Sequence, residues 1–414
     1  MTHEECAGEA EPRRACLRPP SNTHGLADPV TMNARGPSVM LVAGEASGDL
    51  HGAALCTALL ALAPGWRLFG MGGARMAAAG MDLLVDVTPA AVVGGSEALG
   101  RVPLLYRAYR RLRAALEGEP RPRVLVLIDF PEFNLRLARA ARRARVPVVY
   151  FIPPQIWAWR GGRVKTIRRF VSLVLAVLPF EPPLYRRAGV PVEFVGHPLI
   201  DALAGAPSRA AARRELDLPD GAEVIGLLPG SRREEIERVL PLMREAIGHV
   251  AAARPTARFV LGQAPTIERS ALERHLGGAP AVAILPQGAH AVMRAADVAL
   301  VTSGTATLET ALLGTPMVVC YRLSRLSGAL ARLLIRVPWI SLTNLVLGRE
   351  VVPELHLAAA TPERLAEETL RLLADPAARE AQRRAFRDLA RQLGEPGVGA
   401  RAARLVLAEA GAQQ

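Results

Sequence analysis

Two features of this 414-residue chain stand out as able to do chemistry: an acid at the end of one apolar run and an arginine just past another. The run Val124–Ile128 ends in Asp129. A carboxylate at the C-terminal tip of a buried strand faces the crevice where open α/β sheets bind ligands, and there it can take a proton. It could instead cap the helix that begins near Pro131. Arg232 follows the run Val224–Leu228 across Pro229-Gly230-Ser231. A fixed cation at a helix mouth can hold a diphosphate and stabilise it as it leaves. Ser231 and Glu234 fit a capping box there, which leaves Arg232 without a structural duty. Ser303, Gly304 and Thr305 open a third strand-to-helix turn, dense in small donors suited to phosphate. One turn on, Glu309 could accept both ribose hydroxyls of a nucleotide. A base, a diphosphate clamp and a ribose acceptor together spell transfer of a group from a sugar nucleotide.

Further candidates follow the same strand–turn logic. Gly44, Glu45, Ser47, Gly48 and Asp49 lie after Val39–Ala43, as a sugar-contacting turn or as a plain turn with Asp49 capping a helix. Trp157, Trp159 and Arg160 follow another strand, where indole faces suit sugar rings and arginine suits phosphate; core packing is the ordinary alternative. His197, in Gly196-His197-Pro198, is a secondary candidate. Asn344, Arg349 and Glu350 close a polar stretch that could complete the nucleotide pocket. No cluster of His, Cys, Asp or Glu has metal spacing and there is no Walker loop, so no metal or cofactor is expected. Arginines and helix dipoles would carry the charge stabilisation instead.

These residues need a scaffold, and the sequence supplies one. Short apolar runs (Val39–Ala43, Val124–Ile128, Val148–Ile152, Leu173–Val177) alternate with amphipathic stretches, the pattern of a parallel sheet with crossover helices. The pattern lapses over residues 203–222 and resumes at Val224–Leu228, Arg258–Leu261, Ala281–Leu285, Val298–Val301 and Met317–Cys320. This predicts an α/β protein of two doubly wound, Rossmann-like halves facing a cleft. Residues 37–205 would form the first and 220–395 the second, with a C-terminal helix over 396–414. The first 36 residues read as a disordered leader without the apolar region of a signal peptide, and Met32 is a candidate start.

With 50% hydrophobic residues the chain can bury a full core, and 4% aromatics argues against a stacking surface for nucleic acid. The formal charge of +12 suits an anionic membrane surface, a phosphorylated substrate or nucleic acid equally. Two stretches are basic and amphipathic, Leu104–Arg113 and Arg322–Trp339, and either lie in a membrane interface or turn an apolar stripe to the core. The four cysteines show no framework spacing, which predicts a reducing compartment.

In their order along the chain, LVAGEASGD (41–49), GMGGARM (70–76), IDFPEFN (128–134), IWAWR (156–160), LPFE (178–181), GHP (196–198), LLPGSR (227–232), SGTATLE (303–309) and NLVLGRE (344–350) closely resemble the lipid A disaccharide synthases. The resemblance covers Ser38 to the C-terminus. It implies an inverting glycosyltransferase of the GT-B fold that joins UDP-2,3-diacylglucosamine to 2,3-diacylglucosamine 1-phosphate through a β(1→6) bond, releasing UDP. It also implies Asp129 as the acid/base residue and Arg232 as essential for the diphosphate. A membrane-contact patch is implied at Val92, Val93, Leu99, Val102, Leu104, Leu105 and Tyr106, on the cytoplasmic face of the bacterial inner membrane. Family members exchange C-terminal elements in a dimer, so a homodimer is an expected partner state; nucleic acid is not. Glu132 stands where the family often has Asp, Ser96 and Ala98 are less apolar than usual, and Leu357 replaces a frequent Gln. Two rivals remain: another GT-B enzyme acting on a membrane lipid carrier, or a non-catalytic basic protein.

Overall fold

The structure is a computed structural model that describes residues 36–86, 98–157, 162–277, 280–322 and 338–411; of the side chains of 98–102 nothing is said. It contains two parallel sheets. The first has seven strands: β1 (Ser38–Ala43), β2 (Arg67–Gly72), β3 (Asp82–Asp86), β4 (Val124–Ile128), β5 (Val148–Phe151), β6 (Leu173–Ala176) and β7 (Val192–Phe194). Their order is β3-β2-β1-β4-β5-β6-β7. The second has six: β8 (Val224–Leu228), β9 (Arg258–Gln263), β10 (Val282–Pro286), β11 (Val298–Thr302), β12 (Met317–Tyr321) and β13 (Glu354–His356), in the order β10-β9-β8-β11-β12-β13.

Both orders reverse direction once, between β1 and β4 in the first sheet and between β8 and β11 in the second. At such a switch point the connections diverge to opposite faces and leave a crevice beyond the strand ends. The four strands at the two switch points are buried along almost their whole length, which is why each reads as an unbroken apolar run. They are also the four whose C-terminal turns carry Gly44, Asp129, Arg232 and Ser303.

Helices cover both faces. On the first sheet, α1 (Ala46–Leu62), α2 (Ala74–Ala78), α3 (Ala98–Glu117), α4 (Pro131–Arg143), α5 (Arg163–Phe170), α6 (Glu181–Arg187) and α7 (Leu199–Ala202) follow in chain order. Residues 203–222, which the sequence leaves as a linker, are not structureless: α8 (Arg209–Glu215) forms there, capped by Ser208. Its Arg209 and Arg213 donate to the carbonyls of Ala296 and Ala295, fastening it to the second sheet's helices. Those are α9 (Arg233–Ala253), α10 (Arg269–Leu276), α11 (Ala289–Ala295), α12 (Thr305–Leu312), α13 (Leu342–Leu347), α14 (Pro362–Ala374) and α15 (Pro376–Leu393). The last helix, α16 (Val398–Gly411), returns to the first sheet and packs on α1, so close that a Cβ on Gly399 would lie 3.2 Å from the Ala54 carbonyl oxygen. Asp201 receives the N–H groups of Gly397 and Gly399 at the mouth of α16, and Arg401 donates to the Val195 carbonyl. The two chain crossings between the sheets are thus tied to one another by charged hydrogen bonds. Among the described residues no helix is long and apolar enough to cross a membrane.

Candidate active site

The end of β4 is bent in a way few residues tolerate. Asp129 and Phe130 both take left-handed backbone angles, φ 47° and 46°. Phe130, not Asp129, occupies the N-cap position of α4 and no side chain caps that helix, so the Asp129 carboxylate is not spent on capping. It is half-buried, and desolvation pushes it up to about 6, with the negative charge of Glu45 adding to the rise. The Phe130 N–H and the positive charge of Arg232 pull the other way. Asp129 on the first sheet therefore feels Arg232 on the second: the acid and the cation face one space.

The peptide of Asp129 is held as well as bent. Its carbonyl accepts the Tyr150 hydroxyl at 2.8 Å and the Asn134 side-chain amide at 2.7 Å. The Asn134 amide also reaches the Ile128 carbonyl at 3.2 Å. Nearby, the Phe130 ring stacks on Phe133 and lies where a side chain on residue 44 would be; a Cβ on Gly44 would come within 2.1 Å of it. The small residue in that turn makes room for the Asp129–Phe130 kink.

On the second sheet Arg232 sits at the N-cap of α9 with its side chain 70% exposed. The cap is built one residue later than the sequence suggests. Glu235, not Glu234, receives the N–H groups of Ser231 and Arg232, because the helix starts at Arg233. Gly304, at φ 151°, turns the chain from β11 into α12, and a Cβ there would meet open space. Gly304 and Thr305 are exposed at this mouth. The Ser303 hydroxyl donates to the Ile340 carbonyl at 2.7 Å, and among the described residues nothing donates to its lone pairs. Glu309 lies one turn into α12, 3.5 Å from His290, and its charge reaches His51 on α1 across the gap. Arg349 and Glu350 are exposed.

Comparison with known proteins bears directly on this arrangement. A family model described as lipid-A-disaccharide synthetase matches residues 39–407. The lipid-A-disaccharide synthase of Myxococcus xanthus is 44% identical over 90% of this chain and 97% of its own length, and that of Geobacter sulfurreducens is 43% identical over 91% and 98%. The chain belongs to the lipid-A-disaccharide synthetase family. It is a glycosyltransferase that forms the lipid A disaccharide. An Anabaena protein crystallised with UDP and glucose shares the fold at a TM-score of 0.53, with 17% identity over 90% of this chain and 99% of the other. The calicheamicin glycosyltransferase CalG4 does so at 0.56, with 19% identity over 91% and 99%. The fold is GT-B, two Rossmann-like halves.

Within this synthase fold several residues that the sequence proposes for ligand contact have other duties. Asp49 is not a helix cap at its own position: buried inside the first turn of α1, it receives the N–H groups of Gly73, Arg75 and Met76, at 2.8, 3.1 and 3.0 Å, and so caps α2. Asn344 is fully buried and its amide is saturated, accepting from Val351 and Val352 and donating to the Val352 carbonyl and Glu354. With all four hydrogen bonds used, its side chain shapes the loop and does not reach a nucleotide. His197 is buried where the chain crosses between the sheets. Its backbone N–H donates to the Leu393 carbonyl, its Nδ1 accepts from Leu199 at 3.3 Å, and burial pushes its imidazole down to about 3. A neutral, internally bonded imidazole is no acid near neutral pH. Trp157 is half-buried and edge-on to Phe180 at 5.0 Å, packed against the core, so its ring is already engaged. Glu45, Ser47 and Gly48 lie at the mouth of α1, the first two exposed and Gly48 buried under Ala43.

Of the expected membrane residues, Leu104 and Tyr106 are exposed, at 43% and 61%, while Leu105 packs on the core. Val92, Val93, Trp159 and Arg160 lie outside the described residues, as does most of the second basic stretch, 323–337; Leu99 and Val102 belong to α3, but their side chains are not described. The sequence reading missed Tyr150 and Asn134. Asn134 closes the quoted string at 128–134 and could have been found there; Tyr150 looks like any aromatic in a buried strand.

Proposed function

We propose that the space between Asp129 and Arg232 is where the glycosyl group changes partners. Asp129 takes the proton from the 6-hydroxyl of 2,3-diacylglucosamine 1-phosphate. That oxygen attacks the anomeric carbon of UDP-2,3-diacylglucosamine from the face opposite the UDP. The carbon–oxygen bond to UDP breaks with its electron pair leaving on the diphosphate, and the configuration inverts. Arg232, the N–H groups at Gly304 and Thr305, and Ser303 stabilise the charge on UDP. Glu309 takes the ribose, and the exposed Arg349 and Glu350 border the base. On this reading residues 37–205 bind the acceptor and 220–395 the donor. UDP bound to the related Anabaena fold supports the donor side.

The observation that carries the proposal is the state of Asp129. It is a carboxylate free of capping, raised to about 6 and within electrostatic reach of an exposed arginine. A base near the working pH both accepts a proton readily and stays ionised. The same reading places the protein on the inner-membrane surface through Leu104 and Tyr106 of α3, where the acyl chains of both substrates reside. UDP release from the two acylated substrates tests the assignment. Asp129→Ala should lose at least about 100-fold in kcat, and Arg232→Ala should impair use of the donor. Near-normal turnover in Asp129→Ala, or unchanged donor kinetics in Arg232→Ala, would remove the corresponding role.

A further inference from the structure

Two polar side chains with no exposure at all converge on the carbonyl of Asp129, and neither is needed by the sheet or the helix they belong to. β5 pairs with β4 in the register Leu127–Tyr150 and Ile128–Phe151, and the last rung is the Asp129 N–H donating to the Phe151 carbonyl at 3.3 Å, which leaves the Asp129 carbonyl itself beyond the ladder. The helix α4 starts with Asn134 donating its backbone N–H to the Phe130 carbonyl, so the Asp129 carbonyl lies outside the helical ladder too. Left to itself, that carbonyl would be an unpaired acceptor beside an apolar cluster containing Leu125, Leu127, Phe133 and Val148. Instead both of its lone pairs are filled, by Tyr150 at 2.8 Å and Asn134 at 2.7 Å.

We infer that Tyr150 and Asn134 are positioning residues for the glycosyl transfer, fixing the left-handed turn at Asp129 so that its carboxylate points at the acceptor hydroxyl. A carbonyl gripped from two directions cannot rotate about the peptide plane, and this fixes the direction in which the Cα–Cβ bond carries the carboxylate. If the role were only to satisfy a buried acceptor, one donor would do. Two donors from two different elements, one on the neighbouring strand and one a turn into the following helix, define a plane. The groups that face Asp129 from elsewhere, Glu45 and Arg232, act on its charge and not on its backbone.

The inference rests on Asp129 being the base, and the experiment keeps the two apart. Asp129→Ala alone reports on the base. Tyr150→Phe removes one donor and keeps the ring that fills the core. With Asn134 still in place, kcat should fall about 10-fold, since small misplacements of a reacting group cost rates of this order. The KM values for both sugars should stay within about twofold, because neither touches Tyr150 on this reading. The released carboxylate gains water, so the acid limb of the pH–rate profile should move to lower pH. Asn134→Ala serves as the second variant, with the same pattern and a larger loss, and is read alone if Tyr150→Phe does not fold. Wild-type kcat in either folded variant overturns the inference. So does a fall in kcat with the acid limb unmoved, or a loss confined to KM, since both mark a purely structural residue.

Discussion

The raised carboxyl of Asp129 makes a quantitative demand on the pH dependence of the reaction. For a base at about 6 the ionised fraction is about 97% at pH 7.5 and about 9% at pH 5, so kcat/KM should drop about tenfold between them. A carboxyl at its ordinary value of 3.8 would lose only about 6% over the same interval. The profile alone is not decisive, because the acceptor carries a phosphate whose second ionisation also falls near pH 6 (about the value for phosphate monoesters). Glu45 separates the two. After burial, its negative charge is the largest influence raising Asp129. Glu45→Gln removes that charge, so the limb must move to lower pH. Because Glu45 is exposed and screened, about half a pH unit is the expected displacement. At pH 5 the variant should then retain about two to three times the fraction of its own pH 7.5 activity that the wild type retains. Taking the ratio within each enzyme cancels any effect of the substitution on substrate affinity. UDP release at substrate concentrations well below KM, from pH 4.5 to about 8, gives the numbers. A limb at the same pH in both proteins would assign the titration to the acceptor phosphate. No limb at all above about pH 5 would show that Asp129 is not held up by its surroundings, and the base argument would lose its electrostatic footing.

Two other predictions concern stability. Raising Asp129 from 3.8 to about 6 means that the folded protein favours the protonated form; its contribution is full below about pH 3.8 and is lost as pH rises through about 6. Asp129→Asn, which cannot ionise, should therefore be more stable than wild type by up to about 3 kcal/mol at pH 7.5 and by less than about 1 kcal/mol at pH 4, seen in denaturant midpoints; a gain independent of pH would contradict the cause given. Asp49→Ala leaves three N–H groups of the α2 mouth without their acceptor and should destabilise by about 3 kcal/mol with KM for both sugars unchanged. Wild-type stability with weakened sugar binding would restore Asp49 to the substrate side.

The sequence was most legible where chemistry and topology coincide. An apolar run followed by a small-residue turn marks a buried strand and its crevice end together, which is why the turns that carry Asp129, Arg232 and Ser303 were legible as strand ends. It was least legible where one residue type serves two ends. A polar residue at a helix mouth looks the same whether it faces a ligand or ties a loop: Asn344 and Asp49 both do the second, and only the count of their hydrogen bonds says so. His197 fails for a related reason, since burial and not the imidazole itself decides whether it can hold a proton. Strands without an unbroken apolar run were lost for want of pattern. β2 alternates apolar residues with glycine, and β13 is three residues long, formed by pairing with β12.

Where the chain leaves the strands that border the crevice, it repeatedly enters the left-handed region, and the residues that do so differ in a telling way. After β11 the turn is made by Gly304, which takes φ 151° without cost and has open space where a Cβ would stand. After β5 it is made by Ile152 at φ 56°, and after β4 by Asp129 and Phe130 in succession. Each of these non-glycine residues costs about 1 kcal/mol or more in backbone strain. Glycine at 129 would relieve the strain and lose the carboxylate. Glycine at 130 would lose the ring that stacks on Phe133 and fills the hollow beside Gly44. The strain at β4 is therefore retained together with the devices that hold it: the Tyr150 and Asn134 donors on one side, and the missing Cβ of Gly44 on the other. A kink that needs three other residues to stay put is worth keeping only if the direction it gives Asp129 matters, and in the mechanism proposed above that direction is toward the hydroxyl that must lose its proton.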